Sequence, residues 1–76
     1  MVNKDFVEKC KNFSEFLDFM VDMSEERDYT LECELEDCED IVYGLSTGEF
    51  TDSDVHRIKR YMENWDFDNI LLENEQ

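Results

Sequence analysis

Proline and alanine are missing altogether from these 76 residues, and glycine occurs only at positions 44 and 48. The absence of proline removes fixed kinks and slow X–Pro isomerisation from consideration. Two isolated glycines exclude a glycine-rich phosphate loop and a flexible linker between domains. No apolar run approaches the roughly 20 residues that span a bilayer. The stretch to Asn12 already carries Lys4, Asp5, Glu8, Lys9 and Lys11, which is unlike a secretory signal. Histidine appears once, at position 56, with no nucleophile motif around it, so a triad has no anchor. Basic residues are scarce as well. Seven stand against 22 acidic ones, a formal net charge of −15. A surface of that sign repels nucleic acid and anionic membranes and attracts basic protein surfaces.

What is present argues for a fold. The hydrophobic fraction is 41%, with six Phe, three Tyr and one Trp, more apolar material than a disordered acidic chain carries. We expect one acidic domain over residues 1–76. A chain of this length buries only about 60% of its unfolded surface, so a homodimer is expected to supply further burial. Cys10, Cys33 and Cys38 are odd in number and scattered, which suits reduced thiols in the cytoplasm.

Periodicity indicates mainly α structure. Phe6, Val7, Cys10, Phe13, Phe16, Leu17, Met20 and Val21 recur at helical spacing, with Glu8, Lys11, Glu15, Asp18 and Asp22 opposite. Asn3 suits the cap, and a helix is predicted over about 4–23. The next segment reads two ways. Tyr29, Leu31, Cys33 and Leu35 alternate with polar residues as on a half-buried strand. Leu31, Leu35, Cys38, Val42 and Leu45 also form a helical stripe, although a helix would put Glu34 beside Ile41 and Leu45 on the apolar side. A helix over about 31–46 is favoured, and a short strand near 29–35, giving an α+β fold, is the alternative. Gly48 marks a turn, and Thr51-Asp52-Ser53-Asp54 opens a third helix running to about Asn64. Phe67, Ile70, Leu71 and Leu72 belong to a short C-terminal element, helix or edge strand. The architecture expected is a small helical domain of about three helices plus that element.

Chemistry-bearing constellations are few. Cys33 and Cys38 lack the second Cys or His pair that completes a tetrahedral zinc site. Asp52, Asp54 and Glu63 match positions 1, 3 and 12 of a calcium loop, but His56 and Arg57 stand where a ligand and a glycine are required. Neither metal nor other cofactor is expected. Carboxylate pairs are so abundant that no pair singles itself out for acid–base work. We therefore expect a binding protein and not an enzyme. Met20, Met23, Met62 and the phenylalanines read most simply as core, although Phe19 lies off the apolar stripe of the first helix. Phe19, Phe50, Trp65 and Phe67 are candidate interface anchors. Arg57, Lys59 and Arg60 form the one basic cluster. It is read as pairing with acids of the same chain, with the orientation of a dimer as the alternative.

The densest feature is the run from Asp22 to Asp40. Asp22, Glu25, Glu26, Asp28, Glu32, Glu34, Glu36, Asp37, Glu39 and Asp40 stand there with Arg27 as the sole base. Solubility asks for a net charge of magnitude about 2 to 8 in a small domain, and the excess destabilises the fold through self-repulsion. These ten acids with Phe19 are the expected partner-binding surface, and a solvated face that only keeps the chain soluble is the alternative. A short, proline-free acidic chain with an aromatic-rich core and such a run resembles the small phage proteins that inhibit host factors by imitating DNA. The resemblance lies in composition and in residues 22–40, without a specific motif. It implies action in the host cytoplasm on a basic DNA-binding protein, such as a nucleoid protein, sliding clamp, polymerase, restriction enzyme or CRISPR effector. A regulatory or antitoxin-like module that binds through apolar helix faces is the second functional reading.

Overall fold

A computed structural model describes the backbone of residues 3–74 and the side chains of residues 3–70. The side chains of Leu71 and Leu72, expected in the C-terminal element, lie outside the described residues. The first amphipathic segment forms α1, Lys4–Met23. Its start is fixed by Asn3, whose Oδ1 accepts the Phe6 N–H at 2.8 Å, and Asp5 lies in the first turn where a carboxylate complements the helix dipole. Helix α2 spans Tyr29–Thr47 and is capped by Asp28, whose carboxylate accepts the Leu31 N–H at 3.1 Å. Gly48 ends it at φ 83°, the left-handed conformation that glycine adopts without steric cost.

Thr51 opens α3, Asp52–Trp65, with a reciprocal capping box: the Asp54 N–H donates to Thr51 Oγ1 at 3.3 Å, and the Thr51 N–H donates to Asp54 Oδ2 at 3.0 Å. A single residue, Asp66 at φ 53°, separates α3 from α4, Phe67–Asn74. Its left-handed backbone closes α3, while its carboxylate accepts from Asn69 Nδ2 at 2.6 Å and secures the first turn of α4.

The fold is thus mainly α, three long helices and a short C-terminal one. The strand considered at 29–35 is not formed, and no strand occurs among the described residues. The apparent alternation there came from two different faces of one helix. Tyr29 and Cys33 face solvent while Leu31 and Leu35 face the core, which successive turns of a helix also produce. The expected start at 31 moves to Tyr29 because Asp28 supplies the cap.

The core draws on all four helices. Cys10, Phe13 and Leu17 come from α1; Leu31, Cys38, Ile41 and Leu45 from α2; Ile58 and Met62 from α3; Phe67 from α4. Phe67 takes the core reading and not that of an interface anchor: it is 2% exposed and meets Phe13 edge-on at 5.0 Å between centroids. Trp65 is half-buried and T-shaped against Phe16 at 5.5 Å, and Phe50 packs on the core. Each such ring pair contributes about 0.5–1.5 kcal/mol beyond area burial. The shared core therefore claims three of the four aromatics proposed for a partner. Met23, assigned to the core, is instead 65% exposed at the end of α1. Gly44 lets the chain turn tightly after α2, since a Cβ there would stand 2.6 Å from the Glu49 carbonyl oxygen.

Candidate interaction surface

Among the described residues no acidic side chain is buried. What separates them is whether the fold has already given them a partner. Along α2 each residue advances about 100° around the axis. The apolar stripe of Leu31, Leu35, Cys38, Ile41, Val42 and Leu45 occupies one side, and Tyr29, Glu32, Cys33, Glu36, Glu39, Asp40 and Tyr43 emerge from the other. Asp37 and Glu34 fall between the two, on the flank that meets α3.

That flank holds a polar cluster. Asp37 accepts from Arg57 Nε at 3.0 Å and from the second Arg57 nitrogen at 2.9 Å, a bidentate pair, and from the Tyr61 hydroxyl at 2.8 Å. Arg57 also reaches Asp54 at 3.2 Å. The hydrogen bonds from Arg57 hold the Asp37 carboxyl below its usual range. Donation to Asp37 pushes the Tyr61 phenol up to about 12. Nearby, the Trp65 indole N–H donates to Glu34 at 3.2 Å. This contact explains how a carboxylate tolerates the edge of the apolar stripe: its neighbour across the helix boundary is a donor, 31 residues away in sequence.

The run expected to bind a partner therefore divides. Asp28 caps α2, Glu34 and Asp37 hold α3, and Glu32 accepts from Arg27 at 2.7 Å. These four serve the fold before they serve any partner. Asp22 lies exposed at the end of α1, and Glu25 and Glu26 are exposed in the 24–28 connection. Glu36, Glu39 and Asp40 are exposed on the outer face of α2, with no ion pair among the described residues. Phe19 is 58% exposed on α1.

The outer face of α2 also carries two aromatics that sequence reasoning passed over. Tyr29 is 66% and Tyr43 70% exposed, fourteen residues or about 21 Å apart along the axis. Their signal was present in the spacing 29, 33, 36, 40, 43, the complement of the buried stripe. It became informative only once the segment was known to be helical.

The basic cluster is split as well. Arg57 turns inward to Asp37, as the intrachain reading anticipated, and the Lys59 ammonium lies 5.4 Å from the centre of the Phe6 ring. Arg60 and His56 are exposed on α3. Lys9 pairs with Asp68, tying α1 to α4. The buried thiols are chemically quiet: burial pushes Cys10 up to about 11, and burial with Asp37 and Glu34 nearby pushes Cys38 up to about 12. Cys33 is exposed. Among the described residues no group of three or more His, Cys, Asp or Glu side chains is placed to hold a metal ion. None of the helices in the described residues is long and apolar enough to cross a membrane. No protein family, curated protein or solved structure matches this chain.

Proposed function

We propose that the protein is a non-enzymatic inhibitor that presents the outer face of α2 to a basic, nucleic-acid-binding protein and occupies the channel meant for phosphates. The observation that carries this reading is the linear charge density of the face. Glu32, Glu36, Glu39 and Asp40 lie along eight residue steps, about 12 Å of helix axis. That is one carboxylate per about 4 Å, against about 3.4 Å per phosphate along one DNA strand. Internal pairs are formed elsewhere while three of these four have none among the described residues, so the face keeps its charge for an incoming surface. Tyr29 and Tyr43 supply broad, semi-rigid contact area at its two ends, and Phe19 adds an apolar contact on α1. Charge then gives fast, salt-sensitive association, and the aromatics give selectivity.

The test is affinity capture from bacterial lysate by the full chain, with and without excess duplex DNA. DNA-binding proteins should be retained, should be displaced by the duplex, and should fall away steeply between 50 and 200 mM salt. A set of captured proteins indifferent to both DNA and salt would instead favour a module that binds through apolar helix faces, with Phe19 and Met23 as its contacts. Self-association has less to work with, because Arg57 is consumed within the chain and two copies at −15 repel each other.

A further inference from the structure

We propose that the shallow groove between α1 and α2 beside Tyr43 receives an arginine side chain of the partner, its guanidinium stacked on the Tyr43 ring and paired with Glu39 and Glu15. This deepens the docking role given to α2 above and rests on it.

The same helix already holds one arginine in this manner. The Arg27 guanidinium carbon stands 4.6 Å from the centre of the Tyr29 ring, and its Nε donates to Glu32 at 2.7 Å. Tyr29 and Glu32 are three residues apart, one turn, so ring and carboxylate form a single clamp. At the other end of α2, Glu39 and Tyr43 are four residues apart and again share a turn. There the ring is 70% exposed and has no cation over it among the described residues. Glu15 of α1 lines the same groove as Glu39 and Tyr43, with Val42 contributing an apolar side chain. An acidic residue from each helix and an exposed aromatic residue thus line one shallow recess.

Arginine fits this chemistry better than lysine. Its guanidinium is planar and weakly hydrated, so it stacks on a ring while its fork engages carboxylates; an ammonium ion is a compact, strongly hydrated charge. Lys11 also lines the groove and opposes an incoming cation, so the partner's arginine must displace or tolerate it. The chain's own exposed Arg60 is the competing candidate through a second copy, which the mutual repulsion of two strongly acidic chains disfavours.

The experiment is titration of the isotopically labelled full chain with octa-arginine and with octa-lysine, followed by amide NMR shifts at 50 mM salt. The arginine peptide should bind at least about threefold tighter than the lysine peptide, the scale of an exposed cation–π contact, and the largest shifts should centre on Tyr43. Tyr43→Leu should abolish the preference, Tyr43→Phe should keep it, and Lys11→Gln should tighten both peptides. Equal affinity for the two peptides, or a preference that survives Tyr43→Leu, overturns the groove. If in that case both peptides still lose affinity in the Glu36→Gln, Glu39→Gln, Asp40→Asn triple variant, the docking face stands while the arginine groove falls. If neither peptide binds, both fall. Shifts at Tyr43 that depend on protein concentration without peptide would assign the groove to a second copy and overturn the proposal.

Discussion

Asp37→Asn and Glu36→Gln each remove one negative charge from α2, yet they should move stability in opposite directions. Asp37 accepts two hydrogen bonds from Arg57 and one from Tyr61. A charged hydrogen bond contributes about 1.5–3 kcal/mol when sheltered. Here the Arg57 side chain is 45% and the Asp37 side chain 28% exposed, which discounts the pair toward the surface value of about 0–1 kcal/mol. An asparagine could still accept from Tyr61, so the loss should be about 1 kcal/mol. Glu36 is the reverse case. It has no cationic partner among the described residues and faces Glu32 and Asp40 at four-residue spacing and Glu39 at three. Each like-charge pair costs about 0.2–0.5 kcal/mol at low salt. Its removal should therefore gain about 0.5–1 kcal/mol, the lower figure applying because Arg27 already compensates Glu32. Urea unfolding followed by far-ultraviolet circular dichroism reads both. With m near 1 kcal/mol/M for a chain this small, the two midpoints should differ by about 1.5–2 M. Raising salt to 500 mM should shrink the Glu36→Gln gain, since screening removes the repulsion it relieves. Midpoints that shift together, in either direction, would refute the division of the acids into paired and unpaired sets.

The pH dependence of the Asp37 contribution follows from its lowered pKa. The folded value lies below the unfolded one, so this stability is present above about pH 4 and is lost as pH falls through the folded value; the gap between wild type and Asp37→Asn should close in acid. The Tyr61 phenol should ionise near pH 12 in the folded chain, its stabilisation being full below the ordinary value of about 10 and lost as pH rises through 12. Absorbance titration at high pH should show that late phase disappear in Tyr61→Phe. Gly44→Ala places a Cβ against the Glu49 carbonyl oxygen and should lower the urea midpoint by about 1–3 M, reflecting about 1–3 kcal/mol of overpacking. Thiol modification at pH 8 should label Cys33 alone in the folded chain, and Cys10 and Cys38 only on unfolding.

Much of this architecture was legible in the residues because its determinants are local. The bounds of α1 follow from Asn3 and from a long one-sided stripe, and Thr51 with Asp54 announces α3 through a capping box whose two partners lie three residues apart. The ambiguity over 29–35 had a physical origin. Apolar residues at every second position satisfy strand alternation, and only long-range packing shows that Leu31 and Leu35 go inward while Tyr29 and Cys33 do not. The same limit hid the fate of the acids. The helical pattern already set Glu34 beside the apolar stripe, but nothing near Asp37 marks it as different from Glu36 or Glu39, and the partners of both, Trp65 and Arg57, approach from 31 and 20 residues away. A related long-range contact decides between core and interface for Phe67. The left-handed turn at Asp66 swings α4 back over α1, where Phe13 and Phe16 receive it.

The most direct measurement compares the wild-type chain with the Glu36→Gln, Glu39→Gln, Asp40→Asn triple variant as bait, scoring bacterial protein that duplex DNA displaces at 50 and 200 mM salt. A docking face on α2 predicts that the variant is at least as stable in urea yet retains little of the DNA-displaceable protein at either salt. Equal retention by a sturdier variant would contradict it, leaving those carboxylates as no more than a solvated surface.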